Sequence, residues 1–236
     1  MRIFAVETSG KASSVALLED GRLSCEIFQN RGLTHSKTLA PMAEELLASC
    51  GLVAGDMDGY AVSAGPGSFT GIRIGVSFVK AMAWSAGRPV AAVSSLAACA
   101  WNAAGWEDHL ICPAFDARAG QVYAGLFQWS GGRMTRLRPD AALRTGDLFQ
   151  WLENTGKNCI FLGDGAKLCY NTLLEAGLPA ELMPEESGWV RASGVAREGL
   201  FMLESGMGVH ARDAAPVYLK KPQAERERLK RLEEGI

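Results

Sequence analysis

The sequence predicts an α/β protein of two lobes, each built on the unit β-β-β-α-β-α. Three observations carry that reading. Short apolar-rich runs open the chain and are joined by a hairpin signal at Asp20-Gly21. A strand, a glycine-rich loop and a helical pattern then follow one another between residues 59 and 86. From residue 110 the same rhythm begins again.

Residues 2–7 (RIFAVE), 13–19 (SSVALLE) and 22–29 (RLSCEIFQ) read as three strands. A helix is expected over 36–50, where Leu39, Met42, Ala43, Leu46, Leu47 and Cys50 recur at three-to-four spacing and Gly51 stops the pattern. A strand at 59–64, a helix at 71–86 and a strand at 89–94 complete the first unit. In the second, strands at 110–117 (LICPAFDA), 121–129 (QVYAGLFQW) and 133–138 are separated by Arg118-Ala119-Gly120 and Ser130-Gly131-Gly132. Thr145 starts a helix over 146–154, residues 158–162 (NCIFL) form a strand, and helices follow at 166–177 and 193–205. The predicted organisation is an N-terminal lobe (1–106), a C-terminal lobe (107–208) and a tail (209–236) that returns to the N-terminal lobe and ends in a charged helix. A duplicated ribonuclease H-like unit of this kind is the architecture of the actin, Hsp70 and sugar-kinase group.

The chain has 236 residues, 48% of them hydrophobic, and a formal net charge of −2. That balance argues against gripping nucleic acid by charge alone. The unbroken apolar run before Glu7 is only four residues (3–6), too short for a signal-peptide core, and the uncharged stretch Pro89–Trp106 is alanine-rich and interrupted by Ser94, Ser95 and Asn102. A cytoplasmic protein without membrane spans is expected. In the tail, Glu225, Glu227, Glu233 and Glu234 offset the basic residues, which reads as a solvated helix rather than a basic arm.

The chemistry-bearing residues are few. The loop SAGPGSFTGIRIG (63–75) holds Gly65, Gly67, Gly71 and Gly75. A P-loop needs Lys-Ser/Thr after its last glycine, but Ile72 and Arg73 follow Gly71; the dinucleotide fingerprint needs glycine at Thr70. The loop can present N–H groups to an anion at a helix N-terminus, in company with the hydroxyl-rich ETSGKASS (7–14). Thr8, Ser9, Gly65, Gly67 and Ser68 are therefore the candidate contacts for the phosphates of ATP or ADP. The competing reading, favoured by the missing lysine, is that small residues let the 71–86 helix lie close to the sheet. His35, His109 and His210 are not within metal-motif distance of one another, and the six cysteines form no CxxC. No metal site and no catalytic residue is expected. Glu7 and Asp116 each end or interrupt an apolar run, where a carboxylate can project into a cleft.

The glycine loop, together with VETSGKASSVAL (6–17), THSKTLAPMAEELL (34–47), VSSL (93–96), FDARAGQVYAGLF (115–127), GDGA (163–166) and PVYLK (216–220), resembles the TsaB (YeaZ) family of tRNA threonylcarbamoyladenosine biosynthesis proteins over essentially the whole chain. Glu7 departs from the aspartate usual there. The resemblance implies a two-lobed actin-like fold and a role in modifying the adenosine next to the anticodon. It implies as partners the paralogue TsaD, which transfers the threonylcarbamoyl group, and the ATPase TsaE, with tRNA reached through the complex. TsaD carries a metal-binding H-x-x-x-H, which falls here on Ser95-Leu96-Ala97-Ala98-Cys99, so both histidines are missing. A non-catalytic subunit follows. The resemblance places its partner surface on the two long helices, through Leu39, Met42, Leu46, Ile72, Val76, Val79 and Met82, or through the same stripes in a homodimer. The alternative is a stand-alone nucleotide-binding phosphotransferase or hydrolase; a metallopeptidase lacks ligands to activate water.

Overall fold

The structure, a computed structural model, describes residues 1–153 and 155–220. The charged helix expected in the tail lies mostly outside them.

The first sheet contains β1 (Arg2–Glu7), β2 (Ser13–Glu19), β3 (Arg22–Gln29), β4 (Gly59–Gly65) and β5 (Val90–Ser94), in the order β3-β2-β1-β4-β5. Strands β1–β3 are antiparallel, while β4 and β5 run parallel to β1. Asp20 and Gly21 adopt the left-handed conformations that a tight hairpin of right-handed twist requires. Strands β1 and β4 are buried along almost their whole length, as expected for central strands covered on both faces.

The helices α1 (His35–Ser49) and α2 (Phe69–Ala86) cover one face of this sheet. Helix α2 is capped at both ends: Ser68 Oγ accepts from Gly71 N, and Gly87 takes the left-handed turn that stops it. The second sheet repeats the order: β6 (Leu110–Asp116), β7 (Gln121–Ser130), β8 (Arg133–Arg144), β9 (Cys159–Leu162) and β10 (Ala180–Leu182) lie as β10-β9-β6-β7-β8. This duplication is the two-lobed actin-like fold.

Two of the expected elements differ in length. Strand β8 runs to Arg144, and the helix expected at 146–154 is reduced to a 3-10 turn followed by the single turn α4 (Phe149–Leu152). Helix α5 (Ala166–Glu175) lies on the outer face of the second sheet with α4.

Between the sheets sit the short α3 (Ser95–Ala100) and α6 (Ala192–Glu204). The sequence groups α6 with the second unit, yet it packs on β1, β2, β4 and β5 of the first sheet. Small residues permit this: a Cβ on Gly199 would stand 2.5 Å from the Ala61 Cβ, and one on Gly194 2.2 Å from the Ala98 carbonyl oxygen. The central apolar cluster therefore includes Ile3 and Ala61 from one sheet and Ile111 and Phe127 from the other. It joins the lobes at the back of the cleft between them.

Candidate functional site: the cleft between the lobes

The cleft opens where the β1–β2 turn, the glycine loop and the β6–β7 turn converge, and it encloses about 650 Å³. Its lining includes Ser9, Lys11, Ser68, Asp116, Asp164 and Tyr218.

The glycine loop is bound tightly to the end of β1. Thr8 Oγ1 donates to the Gly71 carbonyl at 2.8 Å, and Ser68 N donates to the Ser9 carbonyl at 2.7 Å. A Cβ on Gly71 would lie 2.0 Å from the Thr8 carbonyl oxygen, and one on Gly75 2.3 Å from Thr8 Oγ1. Gly67, at φ +155°, is pressed to within 2.4 Å of the Ser9 carbonyl oxygen by the same measure. The glycines thus let α2 approach the sheet more closely than a side chain allows.

The structure brings Thr8, Ser9, Gly65, Gly67 and Ser68 together, with Ser9, Gly67 and Ser68 on the cleft wall. The two hydroxyls on that wall are engaged in protein contacts, since Ser9 Oγ donates to Glu7 and Ser68 Oγ accepts from Gly71 N to cap α2.

Glu7 ends β1 and is 1% exposed. Its Oε1 accepts from Ser9 N and from Ser9 Oγ at 2.6 Å, and its Oε2 accepts from Ser63 Oγ. Burial pushes its carboxyl above the usual range, although these hydrogen bonds oppose the shift. The second lobe supplies Asp164, whose pKa burial also raises. Asp164 Oδ1 accepts from Asp116 N at 3.0 Å, and Asp116 Oδ1 in turn accepts from Arg118 N at 2.7 Å, ordering a turn in which Arg118 and Ala119 are left-handed. Lys11 sits on the hairpin tip of the first lobe, and its charge lowers the Asp164 pKa, partly offsetting the effect of burial.

Sequence reasoning identified Glu7 and Asp116 but did not single out Lys11, Asp164 or Lys220. The signal was the pair of small-residue turns, ETSGKASS and GDGA; in the second, the glycines bring backbone against backbone, since a Cβ on Gly163 would stand 2.3 Å from the Ala114 carbonyl oxygen.

The segment that the resemblance aligns with a metal motif, residues 95–99, offers no histidine pair here. Ser95 and Cys99 are fully buried on α3 among Leu96, Ala97, Ala98 and Ala100. The Cys99 thiol donates to the Gly188 carbonyl at 3.5 Å, and burial raises its pKa far above a thiol's ordinary value. A serine and a protonated thiol in this setting do not fit a divalent cation. Among the described residues, no cluster of three histidine, cysteine or acidic side chains could hold a metal. His35 instead bonds the Gly10 carbonyl through Nε2 at 3.0 Å, where α1 begins.

The expected partner surface requires correction. Leu39, Met42, Leu46, Ile72, Val76 and Val79 are buried beneath α1 and α2, against Phe4, Val15, Leu17 and Tyr60. Apolar residues at helical spacing face the sheet because that sheet would otherwise be bare. Met82 is half-buried at the margin. The outward surface instead combines half-buried Leu47, Ile74, Phe78 and Met82 with exposed Ala40, Pro41, Ser77 and Ala81. No helix among the described residues is long and apolar enough to cross a membrane.

Comparison with known proteins agrees with this geometry. The family model for TsaD, tRNA N6-adenosine threonylcarbamoyltransferase, matches residues 31–226. The tRNA threonylcarbamoyladenosine biosynthesis protein TsaB of Bacillus subtilis is 38% identical over 168 residues, covering 71% of this chain and 73% of its own. Its namesake from Escherichia coli is 29% identical over 229 residues, covering 93% and 95%. The solved structure of YeaZ from Pseudomonas aeruginosa superposes with a TM-score of 0.78 at 31% identity, over 92% of this chain and 99% of the other. The chain belongs to the TsaB (YeaZ) family of tRNA threonylcarbamoyladenosine biosynthesis proteins.

Proposed function

We propose that this chain is a non-catalytic subunit in the biosynthesis of tRNA threonylcarbamoyladenosine, and that it acts by binding its threonylcarbamoyltransferase paralogue. The pathway is the one its relatives are named for. The observation that carries the non-catalytic role is α3: where the paralogue ligates metal, this chain has Ser95 and Cys99 inside an alanine-rich core. The outward surface of α1 and α2 supports the binding role, since Leu47, Ile74, Phe78 and Met82 are flanked by small side chains that allow helices to approach. A TsaE-like ATPase joins the same assembly, and tRNA is engaged through the complex. Without its partner, the chain pairs with a second copy through the same helices.

The first experiment is mass spectrometry of tRNA nucleosides from cells depleted of this protein. Loss of threonylcarbamoyladenosine supports the role, and an unchanged level refutes it. The binding mode is tested by Phe78→Asp. This variant should remain folded yet fail to co-purify with the paralogue, whereas undiminished co-purification moves the interface elsewhere.

A second reading rests on the cleft, where Lys11, Arg118 and Lys220 line a space large enough for ATP or ADP. Calorimetry of the isolated chain with ATP and magnesium decides it: heat of binding at micromolar nucleotide supports a nucleotide site, and its absence removes this reading.

A further inference from the structure

After the short 3-10 turn Ala211–Asp213 the chain does not leave the molecule but crosses the mouth of the cleft. The crossing begins at the first sheet, where Val209 pairs with Val90, and Lys80 Nζ holds it by donating to the Arg212 and Ala214 carbonyls at 2.7 and 3.0 Å. Val217 N then donates to the Ala64 carbonyl at 2.7 Å, and the Val217 carbonyl oxygen lies where a Gly65 side chain would project, 2.3 Å from a Cβ there.

Tyr218 stacks on Phe69 at 4.7 Å between ring centroids, and its hydroxyl accepts from Arg73 Nε at 2.9 Å. The Arg73 guanidinium also lies 3.8 Å from the centre of the Phe69 ring. Two residues further on, Lys220 Nζ donates to the Ala117 carbonyl of the second lobe at 2.9 Å and lies 5.7 Å from the centre of the Tyr123 ring.

We propose that residues 209–220 are a latch that holds the two lobes together across the open side of the cleft, anchored on the first lobe through Arg73–Tyr218 and caught on the second by Lys220 at the Ala117 carbonyl. The back of the cleft is closed by the central apolar cluster, which both sheets share. The front is closed by Val217, Tyr218, Leu219 and Lys220, which line the same cavity as the glycine loop and the Arg118 turn. The two closures differ in kind. The rear contact is fully buried, whereas Val217 is 51% exposed and Tyr218 is 39% exposed. The front is therefore the side that opens at low cost. Access to the cleft is then set by the strap rather than by the lobes' shared core, and this holds whichever molecule occupies the cleft or docks on α2.

Hydrogen exchange followed by mass spectrometry on the full-length chain tests the proposal, using the paired substitution Tyr218→Ala with Lys220→Ala. The latch predicts that amides in 64–70 and 116–120 exchange roughly tenfold faster, while β1 and β6 keep their protection. Tyr218→Phe, which retains the stack and loses only the hydroxyl, should give a smaller increase at the same amides. Unchanged exchange in both loops overturns the proposal. So does a uniform rise through β1 and β6, because the strap would then be part of the global fold and not a local closure.

Discussion

Replacing Gly71 with alanine tests the idea that the glycine loop exists to seat α2. The added Cβ would lie 2.0 Å from the Thr8 carbonyl oxygen, and that oxygen belongs to backbone at the end of a buried strand. An ordinary carbon–oxygen contact is about 3.3 Å, so the first turn of α2 must retreat by more than an ångström. Overpacking of this kind costs about 1–3 kcal/mol. The retreat also stretches the 2.8 Å hydrogen bond from Thr8 Oγ1 to the Gly71 carbonyl, a further loss of about 1 kcal/mol. Against this, alanine is favoured over glycine within a helix by about 1 kcal/mol. The net loss is about 1–3 kcal/mol, which for a chain of this size lowers the thermal midpoint by roughly 2–12 °C.

The comparison variant is Gly55→Ala, where nothing lies within 4 Å of the new Cβ and stability should stay within about 0.5 kcal/mol of the parent. Circular dichroism melts of the three proteins read the result. If Gly71→Ala melts with the parent, or if Gly55→Ala loses as much, the close-approach argument fails.

Three other substitutions or treatments follow from the same coordinates. Leu46→Arg buries an unpaired charge at a side chain with 0% exposure and should cost more than about 4 kcal/mol, so it yields little folded protein; Ala48→Arg, on the exposed face of α1, should express and melt normally. Normal folding of Leu46→Arg would show that the stripe faces outward after all. Burial raises the pKa of Glu7 in the folded state above that of an exposed carboxylate, so between the unfolded and folded values the folded state retains a proton that the unfolded state has released. Its contribution to stability is full below the unfolded pKa and is lost as pH rises through the folded one. Glu7→Gln keeps the acceptor for Ser9 and should remove that slope, gaining on the parent as pH rises in urea titrations; a parallel pH dependence would contradict the assignment. A thiol reagent should modify the half-exposed Cys25 and Cys50 in the native protein, while Cys99, Cys112, Cys159 and Cys169 react only after unfolding. Rapid native labelling of Cys99 would contradict its place in the core.

Much of the fold was legible because its strands and helices announce themselves locally. The Asp20-Gly21 hairpin and the Gly51 stop after α1 each need only their neighbours in sequence. What periodicity does not encode is which neighbour an apolar face meets. Leu39 and Val76 are spaced as a stripe whether they meet a sheet or a partner, and the structure shows that they meet the sheet.

The same limit applies to α6, whose fit against β4 depends on Gly199 standing over Ala61, a contact between residues far apart in the chain. Strand β10 has only three residues, too few for a pattern. In the cleft, Glu7 and Asp116 stood out as charges beside apolar runs. Lys11 and Lys220, by contrast, sit in polar surroundings in the sequence, and only folding brings them to the same space.

The return of α6 to the first sheet also bears on how the protein is made. Strand β5 ends at Ser94, but the helix that covers the inner face of that sheet does not begin until Ala192, about a hundred residues later. At ribosomal rates of roughly 5–20 residues per second, Ile3, Ala5, Ala61 and Ala91 stay without their final cover for roughly 5–20 s after β5 has been synthesised. The N-terminal half therefore cannot complete its packing while still growing. A nascent chain stalled shortly after residue 106 should present an apolar sheet to chaperones, whereas one extended past Glu204 with its last helix clear of the exit tunnel should not.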